Sequence, residues 1–336
     1  MCRAIQRLRI NGAPNGAETL QNGFIQLYRQ DAAAIRNELS AGLLAEIPFA
    51  SSKYLYDVLG SKLFEAICEL PEYYPTRTEA AIFSRHLPDI ARSVEPGSIL
   101  IDLGAGNCAK AARMFSFLHP SEYVAIDISV DFLQESVTCL QSRFPQIKMT
   151  GVGMDFSSAL SLPAEIGHDR RLFFYPGSSI GNYTPEQATV FLARIREACR
   201  NDGGLLIGVD LVKDTHVLNA AYDDALGLTG AFNLNLLVHL NNLLGANFDP
   251  REWRHRAFFN ERKSRIEMHL EARRDIDVKW SQGHRHFREG QRIHTENSYK
   301  YTQDSFRQLL ARAGFADART WTDERGWFMV CHARAV

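Results

Sequence analysis

The chain has 336 residues, 45% of them hydrophobic and 23% charged, and its 38 basic and 39 acidic side chains leave a formal net charge of −1. That length accommodates about two domains with ample cores, so folding needs no disulfide or metal staple. The charge balance excludes a general nucleic-acid binder, and a mean hydropathy of −0.23 without a long apolar run excludes a membrane span.

Cys2, Cys68, Cys108, Cys139, Cys199 and Cys331 are scattered and form no C-x-x-C pair, as expected of reduced thiols in a cytoplasmic protein. The start of the chain mixes Arg3, Arg7 and Arg9 with Asn and Gly and has no apolar signal-peptide core; residues 1–19 read as a loose tail. From Gln26 to Leu70 the pattern is mainly helical, with an interruption near Pro48. The segment 70–79 (LPEYYPTRTE) is bracketed by prolines, and Thr76 with Glu79 forms a capping box that opens a helix to about Val94.

A regular alternation follows. Residues 98–103, 122–127, 147–154, 171–175 and 204–210 read as short buried strands. Between them lie helices at 107–118, at 131–144 with Ser129 as cap, and at 185–199 with Thr184 as cap, Pro185 in the first turn and Gln187 completing a capping box. The alternation implies an α/β protein with a parallel, doubly wound sheet. After Asp210 the rhythm changes to an Asn-rich helical stretch at 218–244 and strand-like stretches at 265–273, 276–280 and 291–299. A helix at 302–313, stopped by Gly314, precedes strands at 318–322 and 327–331 that are close enough for an antiparallel hairpin. By analogy, this is the Rossmann-like sheet of class I methyltransferases, seven strands with a terminal antiparallel hairpin, beside a second α+β domain.

The first strand runs into Asp102-Leu103-Gly104-Ala105-Gly106-Asn107-Cys108-Ala109. Glycines at such a turn let a ligand approach the backbone where sheet gives way to helix. The turn also satisfies the relaxed dinucleotide fingerprint, so NAD and S-adenosylmethionine both fit it. Asp127, ending the second strand, suits the ribose hydroxyls of either. Asp102 would repel a pyrophosphate but suits the cationic ammonium and sulfonium of the methyl donor. Asp155, just past the third strand, offers an acceptor for an adenine amino group beside the stacking ring of Phe156. Three acids at three successive strand ends favour the methyl donor. The fourth strand ends in 175–185 (YPGSSIGNYTP), where Asn182 is either a neutral amide for an amino acid or a cap within a glycine-rich turn.

Taken together, several stretches resemble the histidine N-alpha-methyltransferases of ergothioneine biosynthesis. They are SKYLYD at 52–57, LPEYYPTRTE at 70–79, LGAG at 103–106 with Lys110, GSSIGN at 177–182, DLVKD at 210–214, AAYDD at 220–224, AFNLN at 231–235, IEM at 266–268 and TENS at 295–298. The resemblance implies S-adenosylmethionine as donor, leaving as S-adenosylhomocysteine, no metal, and L-histidine as the small-molecule substrate, trimethylated on its α-amine to hercynine. It implies donor contacts from Gly104, Lys110, Asp127, Asp155 and Phe156, with Tyr56 in a segment that closes over donor and substrate. Tyr73, Asn182 and Tyr222 would hold the α-amine and carboxylate, Asn182 and Tyr222 positioning the reacting amine without a dedicated base. Glu296 and Ser298 would read the imidazole, with Met268 lining that pocket; a tryptophan-type substrate would leave Glu296 unpaired. Asn297 stands where an apolar residue is expected. The implied organisation is a donor domain of 75–212 plus 300–336 and a substrate domain of 20–74 plus 213–299, acting as a monomer without nucleic-acid or membrane partners. Two alternatives are a relative acting on another amino acid and a non-catalytic protein that binds donor or amino acid.

Other features read plainly. His284 and His286 are exposed strand histidines without a third metal ligand, Arg251 to Arg265 is a solvated face over a core stripe, and Asp223 and Asp224 are solvated helix carboxylates.

Overall fold

The structure is a computed structural model that describes residues 18–20, 23–27, 31–200 and 202–336. In chain order its strands are β1 (Glu18–Leu20), β2 (Phe24–Gln26), β3 (Ile99–Leu103), β4 (Glu122–Asp127), β5 (Lys148–Gly153), β6 (Arg171–Tyr175), β7 (Gly204–Asp210), β8 (Trp253–Asn260), β9 (Arg265–Ala272), β10 (Ile276–Trp280), β11 (Gly283–Phe287), β12 (Arg292–Tyr299), β13 (Phe315–Thr322) and β14 (Phe328–Ala335).

Nine of them form one sheet in the order β1-β2-β5-β4-β3-β6-β7-β14-β13. The stretch from β2 to β7 is parallel, and β14 runs antiparallel to both β7 and β13. Every residue of β3, β6 and β7 is buried, as required of parallel strands covered by helices on both faces. Because β3 pairs with both β4 and β6, the chain order reverses there, and the crevice at the carboxyl ends of these strands is where such sheets take ligands. The expected closing antiparallel hairpin is present.

The sheet carries two more strands than expected. Gln26, expected to open a helical stretch, instead ends β2, which pairs in parallel with β5, and Glu18 to Leu20 folds back on β2. Gly151 makes room for this edge, since a Cβ there would meet the Phe24 ring at 2.6 Å. Residues 18–20 are therefore strand, residues 24–26 belong to the large sheet and not to the second lobe, and the rest of the expected tail, with Cys2, lies outside the described residues.

Two apolar cores flank the large sheet, and a third gathers residues Leu39 to Tyr74 with Leu218 to Ile293. This third core lies within a three-stranded sheet, β12-β9-β8, a β10-β11 hairpin and the helices Ala32–Leu44, Val58–Cys68, Thr215–Tyr222 and Leu228–Leu244. β8 occupies part of the basic run, with Trp253 buried and Arg254 facing outward. His284 and His286 alternate outward on β11. Among the described residues no group of His, Cys, Asp and Glu could hold a metal, and no helix is long and apolar enough to cross a membrane.

Local chemistry sets most helix ends. Thr184 and Gln187 form their expected capping box, and Thr302 with Ser305 forms another that the sequence reading did not anticipate. The helix Tyr74–Ser93 starts three residues earlier than the sequence implies, with Tyr73 and not Thr76 as its N-cap and Pro75 in its first turn, and Glu79 is drawn away from the anticipated box. Ser129 precedes the helix Val130–Arg143 without a side-chain cap. The Asn-rich stretch breaks into two helices. Asp224 accepts from the backbone of Leu228 (3.0 Å) and Thr229 (2.7 Å) and caps the second; it is buried, not solvated. Asn235 on that helix donates to Asp57 (2.7 Å), joining two of the family-like stretches.

Candidate active site

At the carboxyl ends of β3 and β4, Gly104 (φ +72°) and Gly106 (φ +51°) occupy the left-handed region, where L side chains are strained. The Gly106 N–H donates to Asp127 Oδ2 (3.0 Å) and the Ser129 N–H to Oδ1 (2.9 Å). Asp127 thus ties the glycine turn to the end of β4 and keeps the remaining lone pairs of its carboxylate. Phe156 lies over the turn, 3.8 Å from where a Gly104 Cβ would stand, and packs against Tyr175 and Phe191. Asp155 accepts from the N–H of Ser157 (3.1 Å), so part of its carboxylate serves as a local turn cap.

Asp102 does not point into solvent. It is buried on the sheet face toward Tyr123, whose hydroxyl donates to it (2.8 Å), and burial pushes its carboxyl up to about 7 despite that bond. Its Oδ1 has no partner among the described residues. An orphaned carboxylate oxygen beneath a glycine turn, with Asp127 and Phe156 above, fits a cationic adenosyl ligand and does not fit a pyrophosphate.

Lys110 lies beside this turn, and its Nζ contacts Glu79 Oε2 (2.7 Å). Glu79 Oε1 accepts from the Gly177 N–H (2.7 Å). Buried Glu79 therefore bolts the β3 turn to the loop after β6, and it was not anticipated as a site residue. That loop ends in the short helical turn Ser179–Asn182, with Asn182 half-buried. Gly181 is pressed against β12: a Cβ there would lie 2.8 Å from the Tyr299 carbonyl oxygen.

Facing this edge, the third core supplies a group of aromatic and polar side chains. Tyr73 packs edge-on against Tyr222 (6.1 Å) and Phe64 (5.9 Å). Tyr56 packs on Phe64 and Phe232, and its phenol is raised well above 10 by burial and by Glu296. Tyr56, expected at the donor, thus joins the side of Tyr73, Tyr222 and Glu296. Burial likewise raises the phenols of Tyr73 and Tyr222.

Glu296 sits on β12 opposite Met268 of β9. It is buried, receives no hydrogen bond from a described residue, and is pushed up to about 7 by burial, with Lys300 pulling the other way. Ser298 follows on the same strand face. Strand alternation turns Asn297 away from Glu296 and Ser298, and a bulge between His294 and Glu296 brings it to the side of His294, whose ring N–H donates to Asn297 Oδ1 (2.9 Å). The departure from the expected apolar residue therefore falls outside the group containing Glu296 and Ser298.

Tyr222 donates to Ser298 (2.8 Å), and beside them stands a buried network that sequence reading missed. Asp210, at the end of β7, pairs with Lys213 (2.6 Å) and Lys300 (2.7 Å) and accepts from Tyr74 (2.7 Å). The paired lysines outweigh burial and hold Asp210 below the usual carboxylate range. Asp210 and Lys213 fall in the family-like stretch DLVKD, but nothing local to the sequence shows that Lys300 is their partner.

The family described as "Histidine-specific methyltransferase, SAM-dependent" matches residues 35–335. A "Histidine N-alpha-methyltransferase" of Mycolicibacterium smegmatis is 36% identical over 310 residues, covering 88% of this chain and 94% of its own. Its namesake in Mycobacterium tuberculosis is 35% identical over 301 residues, covering 88% and 93%. The "N-methyltransferase imqF" of Aspergillus flavus is 31% identical over 302 residues, covering 86% and 82%. The chain belongs to the S-adenosylmethionine-dependent, histidine-specific methyltransferase family.

Proposed function

We propose that the protein methylates the α-amine of L-histidine three times, with S-adenosylmethionine as donor, to give the betaine hercynine, the first step of ergothioneine biosynthesis. The observation that carries the substrate is Glu296, a buried carboxylate that receives no hydrogen bond from any described residue. An imidazole offers it an N–H and offers the Ser298 hydroxyl a second, bare nitrogen; an indole has no second nitrogen. Leaving such buried groups unpaired is how a polar site rejects the wrong ligand. The mycobacterial relatives named for histidine support the same reading.

In this reading Gly104, Lys110, Asp127, Asp155 and Phe156 hold the donor, with the carboxyl of Asp102 buried at the end of β3 next to the glycine turn. Bound S-adenosylmethionine supplies an electrophilic methyl on a sulfonium. Asn182, Tyr73 and Tyr222 orient the amine and carboxylate of the amino acid across the crevice, and Tyr56 closes its apolar side. Most of the acceleration comes from this alignment. Burial raises the three phenols, so they are protonated and serve as hydrogen-bond donors, not bases. The proton lost by the amine in each round leaves to water. The crevice lies between a donor lobe of 75–212 with 300–336, to which the N-terminal strands add, and a substrate lobe formed by the rest of 31–74 with 213–299.

Incubation with isotope-labelled donor and each of the twenty amino acids, read by mass, tests the proposal. Histidine carrying three labelled methyl groups is expected; its absence, with another amino acid labelled, overturns the substrate. Glu296→Ala is expected to lose discrimination between histidine and tryptophan, and unchanged discrimination removes Glu296 from the ring site.

A further inference from the structure

The Tyr222 and Ser298 hydroxyls are ordered by a residue that the family-like stretches do not single out. Lys300 has a fully buried side chain, and its Nζ lies 2.7 Å from Asp210 Oδ2, 2.8 Å from Ser298 Oγ and 3.1 Å from the Tyr222 hydroxyl. An ammonium has three donors and no acceptor, so these contacts use all of them. Asp210 fixes the lysine from behind. It is itself held by Lys213 and Tyr74, and its N–H donates to Ser178 Oγ (2.8 Å).

The two hydroxyl oxygens are 2.8 Å apart, so one donates to the other. The one that accepts this bond already accepts from Lys300. Both its lone pairs are then engaged, and its own proton has no acceptor within the cluster. With Lys300 in place, the pair therefore keeps one outward O–H that can only donate.

We propose that Lys300 is a positioning residue that fixes this polarity and makes the Tyr222–Ser298 pair a hydrogen-bond donor toward the amino acid. The consequence rests on the histidine reading above. Glu296, two residues from Ser298 on the same strand face, accepts, and the hydroxyl pair donates. A neutral imidazole has one N–H and one bare nitrogen and satisfies both, whereas an imidazolium has two donors and satisfies only Glu296. The site thus takes the neutral ring.

Two experiments on the full-length protein test this. In the first, calorimetry measures histidine binding in the presence of S-adenosylhomocysteine, and S-adenosylhomocysteine binding alone, for the unsubstituted protein and Lys300→Met. The histidine Kd is expected to rise at least tenfold, with the S-adenosylhomocysteine Kd within about twofold. Unchanged histidine affinity, or equal loss of both ligands, overturns the assignment. The second does not require Lys300→Met to fold. Tyr222→Phe and Ser298→Ala each leave Lys300 one hydroxyl, whose proton is then free to donate outward. Their double variant leaves none. The rise in histidine KM of the double variant is expected to exceed the product of the single effects by at least tenfold, and simple multiplication overturns the proposal. Failure of the unsubstituted protein to bind histidine overturns the substrate reading and this inference together; normal binding with either contrary result overturns this inference alone.

Discussion

Glu296 gives the most direct check on how burial shapes this site. The group is 8% exposed, has no hydrogen-bond donor among the described residues, and is raised from 4.5 to about 7. Between those two pH values the native protein binds the proton more tightly than the unfolded chain. Native stability therefore falls as pH rises from 4.5 through 7 and stays lower above it. A rise of this size corresponds to about 3 kcal/mol, since each pH unit is worth about 1.4 kcal/mol. Glu296→Gln keeps the shape and removes the ionisation. It is expected to raise the melting temperature of the ligand-free protein by roughly 5 °C at pH 8.5 and to leave it nearly unchanged at pH 5, where the native carboxyl is already protonated. Thermal unfolding followed by circular dichroism in matched buffers at several pH values provides the assay. The same variant is expected to bind histidine more weakly, so stability and function move in opposite directions. A melting-temperature difference that is constant with pH would refute the reasoning, because it would mean that the carboxylate is solvated or already paired.

Asn182→Ala is expected to weaken histidine binding at least tenfold and S-adenosylhomocysteine binding less than twofold, by calorimetry; equal losses would place Asn182 elsewhere. Gly104→Ala puts a Cβ at φ +72°, at a backbone cost of about 1–2 kcal/mol. The nearest atom would be 3.8 Å away, so a loss of donor affinity of roughly tenfold is expected to come from the backbone and not from a clash. Glu79→Gln removes the charge facing Lys110 and weakens the tie to Gly177. Destabilisation of about 2–4 kcal/mol is expected by chemical denaturation, with a raised KM for the donor.

Parts of the fold and site are legible in the residues because their causes are local. The buried strands 99–103 and 171–175 announce themselves as apolar runs, Thr184-Pro185-Glu186-Gln187 carries its own helix start, and Gly104 and Gly106 mark a turn that other residues enter only with strain. Asp127 at the end of β4 follows from the same strand-to-helix geometry. Where two causes compete, the non-local one prevails. Thr76 and Glu79 have capping-box spacing, yet Glu79 turns to Lys110 and Gly177, two partners brought together by packing of the helix on the sheet. Unbroken alternation would put His294 on the face of Glu296 and Ser298, but a bulge between His294 and Glu296 shifts the phase and pairs His294 with Asn297.

By itself, the sequence determined the alternation of strands and helices, the glycine turn with its acidic strand ends, and the family to which the chain belongs. These rest on short-range periodicity, backbone conformation and contiguous motifs. Only the tertiary structure decided that Phe24 to Gln26 joins the large sheet beside β5, that Tyr56 stands with Glu296 and Tyr222, and that Lys300 links Asp210 to the Tyr222–Ser298 hydroxyls. Each of these joins residues far apart in the chain. Burial there leaves a charge or hydroxyl no alternative to the partner it meets, and such pairing leaves no periodic trace in the sequence.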